Sequence, residues 1–130
     1  MEHLLRSIML VDDSQDVREL ARISLEQVGG FTVYICDSGE SALKLAETVT
    51  PDLLLLDVMM PEMDGPELLQ ALKQRDNFAA VPVVFLTAIE DKSELEAFKP
   101  LGVVAVIGKP FNPVSLPDRI REVWQATQKN

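Results

Sequence analysis

Asp12, Asp13, Asp57, Thr87 and Lys109 share one feature: each stands at or just past the end of a short apolar run. The runs are Ser7–Val11, Leu53–Leu56, Val83–Leu86 and Val104–Ile107. A charged or hydroxyl-bearing residue is least expected beside such a run unless something uses it. If the runs bring their ends to one place, the carboxylates of Asp12, Asp13 and Asp57 meet there and repel one another. Two kinds of positive charge relieve that repulsion. One is a hard divalent cation, Mg²⁺ or Mn²⁺, which takes oxygen ligands and keeps several waters. The other is the ammonium of Lys109. A metal, a lysine and a hydroxyl together are equipment for handling a phosphoryl group. An aspartate can also accept one, as an acyl phosphate. The set reads as an Asp nucleophile flanked by metal-ligating acids, with Thr87 and Lys109 placed for phosphoryl oxygens.

The elements that must position these residues form a repeating β-α pattern. Four strand candidates are nearly continuous apolar runs, as strands covered on both faces are. Thr32–Cys36 is more mixed and reads as an edge strand, so Asp37 behind it lies off-centre. Between the strands come helix-period segments. Val17, Leu20, Ala21, Ser24, Leu25 and Val28 fall on one helical face, with Ser14 as N-cap and Gly29-Gly30 as the stop. Ala42, Leu45, Ala46 and Val49 repeat the pattern between a Ser38 cap and Pro51. The third helix opens on an Asp64 cap with Pro66 in its first turn and Glu67 as the capping-box partner. The fourth opens on Asp91, with Glu94 three residues on, and ends near Pro100 and Gly102. The fifth carries Leu116, Ile120, Val123 and Trp124 on one face, with Pro117 tolerated in its first turn. Five β-α units in this order predict an α/β domain with a parallel sheet and right-handed crossovers that place helices on both faces. In such sheets ligands bind beyond the carboxyl ends of the strands, where the five polar residues sit.

The composition agrees and excludes other classes. The chain has 130 residues, enough for one domain with a real core and too short for two ordinary ones. With 47% hydrophobic and 25% charged residues it is a globular mix. No apolar stretch is long enough for a membrane span, and no signal peptide opens the chain. A single cysteine, Cys36, makes no internal disulfide; it reads as a small buried hydrophobe, and an intracellular, cytoplasmic location is expected. The formal net charge of −9 repels nucleic acid phosphates.

Val11-Asp12-Asp13-Ser14, Leu56-Asp57-Val58-Met59-Met60-Pro61-Glu62-Met63-Asp64-Gly65, Phe85-Leu86-Thr87-Ala88 and Lys109-Pro110-Phe111 follow one another in a set order and spacing. The chain thereby resembles, over essentially its whole length, a receiver domain of a bacterial two-component response regulator, of the single-domain chemotaxis-regulator kind. The resemblance implies a flavodoxin-like, doubly wound (βα)5 sandwich with strand order 2-1-3-4-5, one domain over residues 1–130 with its core at about 6–127. It implies Asp57 as phosphoacceptor, and Asp13, Asp57 and the Met59 carbonyl as direct ligands of Mg²⁺ (or Mn²⁺), with Asp12 orienting the metal. Thr87 and Lys109 would each bond a phosphoryl oxygen, the Lys109–Pro110 bond would be cis, and the small Ala88 would leave room. The implied partners are a sensor histidine kinase or histidine phosphotransfer protein and a downstream protein effector, with homodimerisation on phosphorylation as one output. The initial Met favours a single-domain regulator over a receiver cut from a longer regulator or hybrid kinase.

Blander readings stand beside these. Asp12 and Asp13 could merely favour a helix dipole, Asp57 could be a loop residue, Thr87 a strand terminator and Lys109 a solvated charge. Asp64 is structural. His3, the single histidine, is expected to be an exposed tail residue, and Trp124 a packing anchor. The rival enzyme is an Asp-nucleophile phosphatase of the haloacid-dehalogenase type, but Met59 stands where its general acid belongs. A flavodoxin-like electron carrier lacks its phosphate loop here. Two departures from the receiver pattern matter. Many receivers place Tyr or Phe three residues before the Lys, and here that position is Val106; coupling is then expected through the backbone after the fourth strand. Met59 and Ile89 flank the line of water attack with apolar side chains, which predicts slow loss of the phosphoryl group.

Overall fold

The computed structural model describes residues 4–88 and 96–128. His3, Ile89 and the Asp91 cap of the fourth helix lie outside the described residues. Five parallel strands, β1 (Ser7–Val11), β2 (Thr32–Cys36), β3 (Leu53–Asp57), β4 (Val83–Thr87) and β5 (Val103–Gly108), form one sheet in the order β2-β1-β3-β4-β5. The doubly wound sandwich expected from the sequence is thus the one observed. Its topological switch point lies between β1 and β3, where doubly wound sheets open a crevice at the strand ends.

β3 and β4 are buried along their whole length, which is why their sequences do not alternate. Successive side chains still point to opposite faces. Met9, Val11, Leu54, Leu56, Val83 and Phe85 face one layer, built with α2 (Gly39–Leu45) and α3 (Gly65–Lys73). Ile8, Leu10, Leu53, Leu55, Val84 and Leu86 face the other, built with α1 (Gln15–Ile23) and a C-terminal helix (Leu116–Gln128). Trp124 is buried in that second layer. No described helix is long and apolar enough to cross a membrane.

Several boundaries differ from expectation. Asp57 and Thr87 are the last residues of their strands rather than the first beyond them, and β5 is longer by one residue at each end. α1 does not run regularly to Val28: Ser24–Val28 form a π turn, closed by the Gly29 N–H on the Ser24 carbonyl at 3.0 Å. The wider turn breaks the 100° step on which the apolar face was counted. Ala21, Ser24 and Leu25 remain buried, whereas Val28 rotates out to 54% exposure and Leu20 lies on the flank. α2 ends at Leu45, well before Pro51, in a series of turns that leave Val49 half-buried. The caps agree: Ser14 and Ser38 accept from the third residue beyond, and Asp64 and Glu67 close a capping box.

Candidate functional site

Four strand ends deliver the site. Asp12 leaves β1 with its N–H still bonded to the Cys36 carbonyl, which extends the sheet by one step and aims the next residues over the crevice. Its Oδ1 accepts the Ser14 N–H at 2.9 Å, and its carbonyl oxygen accepts from the Arg18 guanidinium at 2.9 Å. Asp12 is fully buried, Asp57 is nearly so, and Asp13 is exposed at the rim. Carboxylate oxygens of Asp12, Asp13 and Asp57 lie within 4.8 Å of one another. Three hard oxygen donors at that spacing, one of them open to solvent, fit a hydrated divalent cation.

Lys109 enters from the end of β5. Its N–H bonds the Thr87 carbonyl at 2.7 Å, so the lysine is hung from the end of β4. Its Nζ donates to Asp12 Oδ2 at 3.1 Å and to Asp57 Oδ1 at 3.0 Å. Asp57 Oδ1 also accepts the Met59 N–H at 3.3 Å. Burial pushes the Asp57 carboxyl up to about 6; the Lys109 hydrogen bond opposes this, and the neighbouring Asp12 and Asp13 add to it. Burial alone would lower the Lys109 ammonium, but its hydrogen bonds to Asp57 and Asp12 outweigh that and raise it. One ammonium among three carboxylates leaves negative charge over, and the site is incomplete without further positive charge.

Thr87 is buried at the end of β4, on the same sheet face as Phe85. Met59 lies two residues beyond Asp57 with its side chain 75% exposed. Asp37 is not part of the cluster: it is exposed and accepts the Ser41 hydroxyl at 3.1 Å. The Lys109–Pro110 bond is cis. Two contributors were not singled out from the sequence as parts of the site. Arg18 holds the Asp12 backbone, and nothing in its spacing marks it apart from other helical arginines. Gly65 could have been found, since it closes the motif that begins at Leu56-Asp57: a Cβ there would stand 2.5 Å from the Asp57 carbonyl oxygen. Its N–H donates to the Val58 carbonyl at 2.9 Å, which ties α3 to the acceptor strand.

The arrangement matches a known group of proteins. The model of the response regulator receiver domain matches residues 8–121. The alkaline phosphatase synthesis transcriptional regulatory protein PhoP of Bacillus subtilis is 33% identical over 123 residues, 95% of this chain and 50% of that protein. Response regulator Rre1 of Synechocystis is 35% identical over 122 residues, 94% of this chain and 53% of that protein. The chain spans about half the length of the curated relatives it matches. The solved structure of the chemotaxis protein CheY4 of Vibrio cholerae superposes with a TM-score of 0.85 at 28% identity, covering 92% of this chain and 99% of that one. Such domains are signalling modules rather than classical enzymes. By sequence match, strand order and the residues at its strand ends, this chain belongs to the response regulator receiver domain family.

Proposed function

We propose that this chain is a phosphorylation switch whose acceptor is Asp57. The observation that carries the reading is the buried Asp57 carboxylate, bonded to Lys109 and gathered with Asp12 and Asp13 at the switch point of the sheet. In the transfer, an Asp57 carboxylate oxygen forms the new O–P bond as the N–P bond of a phosphohistidine breaks. The imidazole leaves with the electron pair of that bond. Lys109 turns from Asp57 toward a phosphoryl oxygen while keeping Asp12, and the Thr87 hydroxyl donates to another. Asp12, Asp13, Asp57 and the Met59 carbonyl would hold Mg²⁺. When bound, the ion supplies the positive charge that the cluster and the incoming phosphoryl oxygens need. The phosphoryl group brings a charge of about −2, which is the signal the fold must read.

The donor is a sensor histidine kinase or histidine phosphotransfer protein, and the setting is the cytoplasm. The net charge of −9 argues against direct nucleic acid contact by these residues, so the output passes through protein contacts made by this domain. The phosphatase reading is weaker, because no acid stands at Met59 to protonate a leaving group. The test is incubation with acetyl phosphate and Mg²⁺. One phosphoryl group per chain is expected, chelation of the metal should prevent it, and an aryl phosphate ester should not be turned over. Multiple turnover of the ester would favour the phosphatase.

A further inference from the structure

Asp13 is the exposed member of the acidic cluster, and a ligand at a rim engages a metal at lower cost when its loop is held in place beforehand. That loop is residues 12–14, between β1 and α1. A single residue of α1 grips it twice. Arg18 Nη1 donates to the Asp12 carbonyl oxygen at 2.9 Å, and the Arg18 backbone N–H donates to the Ser14 carbonyl oxygen at 3.0 Å. The two bonds fall on either side of Asp13. The Ser14 N–H, donating to Asp12 Oδ1 at 2.9 Å, closes the same loop from within. The direction of helical side chains explains the reach. Each Cα–Cβ bond leans toward the helix N-terminus, so the half-buried Arg18 side chain folds back over the turn that precedes it.

Helix electrostatics give no reason for a cation at this position. α1 starts at Gln15, and the dipole at a helix N-terminus favours anions. The other arginine of α1, Arg22, stands in the last turn, where the dipole favours it, and pairs with Glu19 and Glu26 at 3.2 and 3.1 Å. Arg18 is instead turned onto a backbone carbonyl of the site. Two effects on a bound cation then oppose each other. As a positive charge near three carboxylates, Arg18 repels Mg²⁺, so charge alone makes its removal tighten binding. As a clamp on the 12–14 backbone, it has already ordered Asp12 and Asp13, so its removal weakens binding. Water and salt screen the partly exposed charge, whereas the hydrogen bond acts at contact. The clamp therefore wins.

Resting on the reading of Asp12, Asp13 and Asp57 as the Mg²⁺ site, we propose that Arg18 is a positioning residue for that site: through the Asp12 carbonyl it fixes the 12–14 loop and holds the Asp13 carboxylate ready for the ion. Arg18 bonds the backbone of the loop rather than a reacting atom. Its loss weakens the hold on Mg²⁺ and leaves the transfer step intact once the metal is bound. Groups that orient metal ligands from outside the ligand shell act in this way.

The experiment titrates the whole chain with Mg²⁺ and follows the amide resonances of Asp13 and Ser14 by NMR. Arg18→Met, which keeps a long apolar stem without donor or charge, is expected to bind Mg²⁺ at least about threefold more weakly than the parent. At saturating Mg²⁺ its phosphorylation by acetyl phosphate should proceed at the parent's rate. Arg22→Met removes the same charge one turn further along α1 and should not weaken binding. Unchanged or tighter Mg²⁺ affinity in Arg18→Met overturns the proposal, as does an equal loss in Arg22→Met. Slow phosphorylation of Arg18→Met at saturating Mg²⁺ also overturns it, because the defect then lies outside metal binding. Arg18→Ala, with the highest helix propensity, carries the same test if the methionine variant does not fold. A parent that binds no Mg²⁺ at these residues defeats the reading of the site itself, and the proposal with it.

Discussion

The two ends of the sheet both hold charge at least partly out of water, and they treat it in opposite ways. At the carboxyl ends of the strands, Asp12 and Asp57 share one ammonium, Lys109, with the Asp13 carboxylate beside them. At the amino ends, Lys73 donates to three backbone carbonyls, those of Phe78, Ala79 and Val81, at 3.0, 3.3 and 2.7 Å. Asp52 there accepts the N–H groups of Arg6 and Ser7 at 2.9 and 3.0 Å. The lower end satisfies each charge with backbone dipoles that the fold already provides. The upper end brings like charges together and leaves the excess for something that binds. The two ends thus differ in whether the partners of each charge suffice.

That contrast predicts opposite signs on removing charge. Lys73→Met takes the donor from three carbonyls and should destabilise the fold by about 2–3 kcal/mol, measured by urea unfolding, with phosphorylation of the folded fraction unchanged. Asp57→Asn should do the reverse and stabilise the metal-free protein by about 1–2 kcal/mol at neutral pH, less than the full shift would give because the buried amide carries a desolvation cost of its own. The sign follows from the raised carboxyl. Between its ordinary 3.8 and about 6, folded Asp57 keeps a proton that the unfolded chain has lost. Stability therefore falls as pH rises through that window, and the cost is fully present above it. Unfolding of parent and variant in EDTA across that range should show the fall in the parent only. A stabilising Lys73→Met or a destabilising Asp57→Asn would break the contrast.

A smaller effect sharpens it at the mouth of the site. Met59 cannot hydrogen-bond a water attacking the acyl phosphate, and its side chain is largely exposed, so a polar replacement there is open to water. Met59→Asn should therefore shorten the phosphorylated lifetime by about fivefold, near 1 kcal/mol, as read by decay after donor removal. An unchanged lifetime would remove Met59 from control of the water.

Much of the upper end was legible in the sequence because each functional residue closes an apolar run, and an apolar run in a parallel sheet can be little else. The lower end was not. Lys73 looks like any lysine in the last turn of a helix, and its partners are backbone carbonyls that carry no side-chain signature. The π turn at Ser24–Val28 was hidden for a related reason. The apolar spacing through Val28 is that of a regular helix, and the departure comes with a tertiary contact, the buried Ser24 hydroxyl donating to the Pro113 carbonyl at 2.5 Å. Val106 drew attention as a missing ring, whereas the edge-to-face pair of Phe85 and Phe98 becomes visible only when β4 and the 96–98 turn are brought together. Side-chain chemistry placed by strand ends could be read; pairings made by the backbone or across layers could not.

The account rests on Asp57 as the single acceptor. Its most direct test is mass spectrometry of the parent, Asp57→Asn and Asp52→Asn after acetyl phosphate and Mg²⁺. Asp52 is the control, an aspartate at the satisfied end of the same strand. The account predicts one phosphoryl group, mapped to Asp57, in the parent and in Asp52→Asn, and none in Asp57→Asn. Equal labelling of Asp57→Asn and the parent would contradict it.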